Sequence, residues 1–280
     1  MHHGTSSSPN RALVLGSGGA TGIGWISGVL FGLAEAGVDV ASADRIIGTS
    51  AGSVVGSHLA LGRTPAELAE HSGELYTLGR IDWRVVWPFV VSQMLPCRER
   101  ALRWIGRRAS RPTQMSEQEF VELVTSVFPA ERDWPHGLGV VVVETTSGRR
   151  RLLDSSTGVD IARAAAASSA VPGVFPPVRI NGVPCMDGGT RSSLNADLAA
   201  GSDRVLAIAP LPGSRRPRLR PEYQLRSLGP AVDWTLITPD EGSARAIGPD
   251  PLDASNVKAV IEAGYEQGLR EAAAVGAIWA

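Results

Sequence analysis

The fold is decided by residues 46–53, which read I-I-G-T-S-A-G-S and join a strand-like apolar run to a helix-like run ending near Leu61. They contain the pattern G-x-S-x-G, typical of a nucleophile elbow, a tight strand-to-helix turn with a serine at its tip. Gly48 and Gly52 allow the sharp turn, and the helix N-terminus favours negative charge beside Ser50. An ordinary turn before a helix can show the same pattern, so the role of Ser50 depends on the rest of the chain.

A strand, a glycine-rich loop and a helix precede this turn. Residues 11–15 have the composition of a short buried strand, residues 16–24 are rich in glycine, and residues 25–36 have a helical pattern. A second strand is predicted at residues 44–47. A right-handed crossover makes the two strands parallel, so the glycine loop and the elbow meet at one edge of the sheet. We therefore predict a three-layer α/β/α fold with a parallel-rich central sheet.

The glycine loop is suited to stabilising an oxyanion. Acyl transfer requires N–H donors that point at the tetrahedral oxyanion, and loss of one donor typically costs about 10²–10³ in rate. Consecutive glycines can turn their amides outward because they have no Cβ. We expect the amides of Gly18 and Gly19 to be these donors, with the amide of Ala51 as another candidate.

The same loop has a second interpretation as a dinucleotide site. Residues 17–24, S-G-G-A-T-G-I-G, match the glycine pattern of short-chain dehydrogenases. Those enzymes also need a Tyr-x-x-x-Lys pair, and none of Tyr76, Tyr223 and Tyr265 has a lysine four residues later. The second strand leads into the serine turn and has no acidic residue at its tip to bind a ribose. An NAD(P)-dependent reductase is the alternative enzyme.

The histidines are poorly placed to activate Ser50. His58 lies two helical turns beyond it, roughly 12 Å away by helix rise. His71 falls in a predicted helix and His136 in a connecting loop, and no histidine follows residue 136. His136 remains a minor alternative, but the arrangement favours a carboxylate as the base.

Asp187 is the candidate carboxylate. It ends the second strand of a hairpin that is predicted from N-G at residues 181–182, and two glycines follow it. An aspartate before glycine can simply form a turn. A free aspartate, with a pKa near about 4, is a weak base, but partial burial raises that pKa and makes proton transfer from Ser50 feasible.

Composition bounds the function. The 280 residues carry a formal net charge of −1, which gives no indication of nucleic-acid binding. Two cysteines, Cys97 and Cys185, fit a reducing compartment. No apolar run approaches the roughly 20 residues that span a bilayer. We expect residues 1–10 to be disordered, residues 11–280 to form one domain, and the protein to be cytoplasmic.

Residues 80–115 differ in character and are predicted to form a helical insertion rich in tryptophan and arginine. Its apolar face either packs on the core with the arginines in water, or forms an interfacial surface with arginines on lipid headgroups. Peripheral membrane contact through residues 81–111 is therefore one of the two interpretations.

Four motifs in order resemble those of patatin-like phospholipases. They are the glycine loop at residues 16–22, the elbow at residues 48–52, the proline-broken wall A-S-S-A-V-P-G-V-F-P-P at residues 167–177, and D-G-G at residues 187–189. The resemblance covers roughly residues 11–210. The glycines that support these motifs are Gly16, Gly22, Gly48, Gly52, Gly188 and Gly189.

The resemblance implies a Ser-Asp dyad with Ser50 as nucleophile and Asp187 as base, an oxyanion hole in the glycine loop, and hydrolysis of lipid acyl esters without a metal or organic cofactor. Two positions depart from the family pattern G-G-G-x-R-G, since Ser17 replaces a glycine and Thr21 the basic residue. Acyl-ester hydrolysis is therefore a firmer expectation than a preference for phospholipid. A lipid-binding protein without turnover is the other alternative, and the oligomeric state is not predicted.

Overall fold

The described part of the chain folds around one sheet of eight strands. This computed structural model describes residues 10–72, 98–109, 113, 115–130, 132–214 and 216–279. The strands are β1 (Arg11–Leu15), β2 (Arg45–Gly48), β3 (Leu138–Glu144), β4 (Arg150–Leu153), β5 (Val178–Ile180), β6 (Val183–Asp187), β7 (Arg204–Ile208) and β8 (Asp233–Ile237).

The sheet is mixed but mostly parallel. The strand order is β5-β6-β3-β2-β1-β7-β8, and β4 also pairs with β3. Neighbouring strands from β3 through β2, β1 and β7 to β8 run parallel. The pairs that involve β4, β5 and β6 are antiparallel. This arrangement confirms the predicted α/β class with a parallel-rich central sheet.

Helices flank the sheet. They are α1 (Gly19–Glu35), α2 (Ala51–Ala60), α3 (Pro65–His71), α4 (Arg98–Ala109), α5 (Glu117–Thr125), α6 (Ile161–Ser168), α7 (Pro221–Arg226), α8 (Glu241–Ile247) and α9 (Val257–Trp279). Alternate residues of β1 point into two cores, as a strand period of two requires. Leu13 and Leu15 pack into the larger core, whereas Ala12 and Val14 pack into the smaller one.

Helices α1 and α9 pack together at backbone distance. A Cβ on Gly28 would lie 2.2 Å from the Ile261 carbonyl oxygen, and one on Gly268 would lie 2.4 Å from the Val29 carbonyl oxygen. Glycines on both helices thus allow an approach that any side chain would block. This packing fixes the C-terminal helix against the helix that begins at the glycine loop.

Helix α1 begins at Gly19, earlier than the predicted start at residue 25. Glycine is a poor helix former, so the sequence pattern places these residues in a loop. Tertiary packing overrides that preference. The helix lies so close to α9 that a Cβ on Gly24 would be 3.3 Å from Ile261 Cγ1. The second half of the predicted loop therefore forms the first turns of the helix.

Helix α4 is the described part of the predicted insertion. Leu102 and Ile105 are buried against Val143 and Met186 of the sheet, which is the interpretation in which the apolar face packs on the core. The guanidinium of Arg108 lies over the Trp104 ring, 4.5 Å from its centroid. The predictions for residues 1–9 and for the aromatic run at 81–95 fall outside the described residues. Within the described residues, none of the helices has the length and apolarity required to cross a bilayer.

Candidate active site

Ser50 lies at the tip of the turn between β2 and α2, in the conformation of a nucleophile elbow. Its backbone has φ 53° and ψ −119°, a region that non-glycine residues rarely occupy. Both flanking glycines are required by space. A Cβ on Gly48 would lie 2.5 Å from the Gly52 carbonyl oxygen, and one on Gly52 would lie 2.2 Å from the Leu15 carbonyl oxygen. The G-x-S-x-G pattern is thus explained by a turn that packs directly on β1.

The backbone amide of Ser50 is held by a side chain from a distant segment. It donates to Ser168 Oγ at 2.9 Å, and that hydroxyl donates to the Val141 carbonyl oxygen at 2.7 Å. Ser168 is fully buried at the end of α6. Ser168 lies inside the wall motif at residues 167–177, but the motif alone does not distinguish this serine from its neighbours. The hydroxyl ties the elbow to the middle of β3.

Strand register brings Asp187 to the elbow. Gly48 at the end of β2 pairs with Val140, and Asp187 at the end of β6 pairs with Val142. Since β4 occupies the opposite edge of β3 along these residues, β2 and β6 share one edge and meet end to end. Strand β2 runs toward this meeting point from one side and β6 from the other, so the residues after the two strands converge there.

The carboxylate of Asp187 is buried and faces Ser50. The Gly189 amide donates to its Oδ1 at 2.6 Å. Burial raises the pKa of Asp187 to about 6, although hydrogen bonding from Ser50 and Gly189 opposes this rise. The structure thus places a hydrogen-bond donor, the Ser50 side chain, beside a carboxylate of raised pKa.

The predicted oxyanion donors are the amides of Gly18 and Gly19. Neither donates to an acceptor among the described residues, and both glycines border the cavity that contains Ser50. Gly19 has φ 61°, and a Cβ on it would lie 2.6 Å from the Pro251 carbonyl oxygen. The Ala51 amide also lacks a described acceptor, but Ala51 does not line the cavity. Gly22 differs, because a Cβ there would make only ordinary contacts from 3.5 Å.

These groups surround a cavity of about 570 Å³. Its charged lining residues, within the described chain, are Asp187, Arg191 and Arg220. The sequence reasoning missed both arginines, although Arg191 follows Asp187 by only four positions. Several residues of the segment 211–220 form one wall of the cavity.

The two departures from the family motif have different environments. Thr21 is buried, and its hydroxyl donates to the Pro251 carbonyl oxygen at 3.2 Å, so its side chain does not line the cavity. Ser17 does line the cavity, and its buried hydroxyl has no described partner. The glycine loop therefore presents polar groups, but no cation, to the site.

The histidines lie elsewhere, and among the described residues none of them lines this cavity. His58 is buried in α2, where its ring stacks on Phe128 with centroids 4.4 Å apart. Burial lowers the pKa of His58 to about 4, so the ring is neutral near pH 7. The ring of His71 contacts the Glu67 carbonyl oxygen of its own helix.

Comparison with known proteins identifies the class. Residues 13–200 match the family model described as patatin-like phospholipase, a family of lipid hydrolases. The match covers more than half of the chain, and the protein therefore belongs to the patatin-like phospholipase family. Because β2 leads into the elbow instead of a ribose-binding residue, the strand and the family match both favour a lipid hydrolase over the dinucleotide alternative.

Solved structures with a similar fold include VipD from Legionella pneumophila, with 15% identity, a TM-score of 0.49, and coverage of 96% of this chain and 68% of that one. ExoU in complex with SpcU from Pseudomonas aeruginosa has 19% identity and a TM-score of 0.40, covering 95% of this chain. The present chain spans 53% of the length of that ExoU chain. A comparison with curated proteins found no match.

Proposed function

We propose that the protein hydrolyses carboxylic esters of lipids through an acyl intermediate on Ser50, with Asp187 as the general base. The observation that carries this proposal is the meeting of β2 and β6 on one edge of β3. It brings a serine with positive φ and a buried carboxylate to the same cavity.

In the proposed reaction, Asp187 accepts the Ser50 proton as Oγ attacks the ester carbonyl carbon. The amides of Gly18 and Gly19 donate to the resulting oxyanion. Collapse of the tetrahedral intermediate breaks the bond to the alcohol, which takes the proton from Asp187. Asp187 then accepts a proton from water as that water attacks the acyl group, and returns it to Ser50 Oγ when the fatty acid leaves.

The cavity walls suit an acyl chain. Apolar side chains on several loops line it, including Val171, Pro172, Leu211, Leu219 and Leu252. An apolar wall with a few convergent polar groups is the usual composition of a small-molecule site. Cytoplasmic location and peripheral membrane contact through residues 81–111 remain predictions.

The test is a panel of lipid classes with Ser50→Ala beside the wild type. We expect hydrolysis and labelling by a serine-directed fluorophosphonate to be lost in Ser50→Ala. Ser57→Ala is the matched control, because Ser57 lies buried in the same helix with no described partner for its hydroxyl. Full activity in Ser50→Ala would overturn the mechanism. Absent labelling of folded wild-type protein would instead favour a lipid-binding protein without turnover.

A further inference from the structure

Arg191 is an arginine in the active-site wall that the proposed reaction does not use. It is half-buried and lines the cavity that holds Ser50 and Asp187. Its guanidinium makes no hydrogen bond or ion pair of standard length with the residues that the structure describes. None of its nitrogens is a buried atom without a partner, so its donors are open to the cavity, where an anion can bind them.

The neighbouring acid is already occupied by another arginine. Arg150 binds the Asp197 carboxylate with two hydrogen bonds, of 2.6 and 2.7 Å. Arg191 interacts with Asp197 only through longer-range attraction, while Arg150 repels it. Burial and this repulsion lower the pKa of Arg191. Two arginines thus share one carboxylate, and the positive charge left over is on the residue that faces the cavity.

The remaining charges of the cavity do not neutralise Arg191. The Asp187 carboxylate is engaged by the Gly189 amide and faces Ser50. Arg220 adds a second positive charge to the wall, with its Nε bonded to the Ser214 carbonyl oxygen at 3.1 Å. The cavity therefore has a cationic side near its reactive serine, although position 21 in the glycine loop supplies no cation.

We propose that Arg191 forms an anion subsite that binds the phosphate of an acyl-lipid headgroup while the ester carbonyl lies at Ser50. This inference rests on the proposed function and adds the residue that selects the substrate. A guanidinium suits this ligand because its planar set of donors matches two phosphate oxygens. Arg220 is an exposed residue that lines the same cavity and supports the same potential. Arg191 is a specificity-determining residue and does not touch the reacting atoms.

The kinetic test compares two soluble esters with the same acyl chain, one carrying a phosphate on its alcohol and one neutral. The measured quantity is the ratio of kcat/KM for the anionic ester to that for the neutral ester. We expect Arg191→Gln to lower this ratio about 10- to 100-fold, the usual range for a lost charged hydrogen bond. Arg191→Lys should lower it less, because the charge remains but the fork is lost.

The matched control is Arg218→Gln, which removes an exposed arginine outside the cavity. Its ratio should stay at the wild-type value. A wild-type enzyme that hydrolyses both esters, with a ratio that Arg191→Gln leaves unchanged, would overturn the subsite but leave the proposed hydrolysis intact.

A binding test separates the subsite from turnover. Octyl phosphate, octanol and inorganic phosphate are titrated into Ser50→Ala and into Ser50→Ala with Arg191→Gln. We expect octyl phosphate to bind more tightly than octanol only when Arg191 is present. Equal binding of octyl phosphate to both proteins would overturn the subsite even if neither ester is hydrolysed. Inorganic phosphate that binds as tightly as octyl phosphate would assign the site to free phosphate and overturn the headgroup assignment.

Discussion

Ser50 and Asp187 are both held in unfavourable states by their surroundings. Ser50 has φ 53° without being glycine, and Asp187 is a carboxylate only 5% exposed. Strained backbone and buried charge each cost free energy, and they persist where the surrounding fold determines them. The strain presents Oγ to the cavity, and the burial makes the carboxylate a stronger base.

The raised pKa of Asp187 predicts the pH dependence of hydrolysis. Asp187 must be ionised to accept the proton, so kcat/KM for a neutral ester should rise with pH through a midpoint at about 6 and then level off. A pH–rate profile between pH 4.5 and 8 measures this. A flat profile over that range would exclude Asp187 as the base. Asp187→Asn should lose nearly all activity, because an amide cannot accept the proton.

The raised pKa of Asp187 also predicts that the folded protein loses stability as pH rises, whereas its activity increases. The folded pKa of Asp187, about 6, lies above the ordinary aspartate pKa of 3.8. The stability associated with the neutral form is present below pH 4 and is lost as pH rises through 6. At pH 7.5 the free energy of unfolding of Asp187→Asn, measured with denaturant, should therefore exceed that of wild type by about 2–3 kcal/mol at most. If the difference in unfolding free energy between Asp187→Asn and wild type were the same at pH 7.5 and at pH 4, the raised pKa would be contradicted.

Ser168 is predicted to position the elbow. Ser168→Ala leaves the Ser50 amide and the Val141 carbonyl group without the bridging hydroxyl, and each buried unpaired group costs about 1–3 kcal/mol. We expect fluorophosphonate labelling at Ser50 to slow at least about tenfold, measured well below the melting temperature. Ser169→Ala, which changes the adjacent serine, is the control. Loss of thermal stability with an unchanged labelling rate would show that Ser168 stabilises the fold but does not position the elbow.

At the scale of elements, the packing of α1 on α9 connects the C-terminal helix to the glycine loop. Gly268→Ala places a methyl group 2.4 Å from the Val29 carbonyl oxygen and should destabilise the protein by about 1–3 kcal/mol. Gly276→Ala in the same helix is the control. Its methyl group would meet Val38 at 3.8 Å, so it should be neutral or stabilising by up to about 1 kcal/mol. Denaturant unfolding of both variants measures the difference.

At the scale of the whole molecule, the active-site cavity includes residues outside the segment that matches the family. Pro251 and Leu252 line it, and the Pro251 carbonyl oxygen accepts from both the amide and the hydroxyl of Thr21. A chain that ends at residue 210 loses this wall together with β8 and α9. We expect it to lack cooperative unfolding and fluorophosphonate labelling. Wild-type labelling of that fragment would contradict the prediction that residues 11–280 form one domain.

Local patterns were sufficient to predict the fold class and the candidate dyad. The elbow, the hairpin before Asp187 and the glycine loop are each short segments whose conformation follows from nearby residues. The missed features depend on contacts between distant segments. Ser168 and Ser50 are 118 positions apart, and Arg191 matters because Arg150 occupies Asp197. The early start of α1 likewise comes from packing on α9, which no local propensity encodes.

The end-to-end meeting of β2 and β6 on β3 also has a consequence for biosynthesis. Ser50 is made early and Asp187 much later, and they become neighbours only when the antiparallel hairpin of β5 and β6 docks beside the parallel strands. A nascent chain can therefore contain the serine turn before Asp187 is in place beside it. If hydrolysis needs both residues, activity measured during refolding should appear only after this hairpin has docked, and not when the serine turn alone has formed.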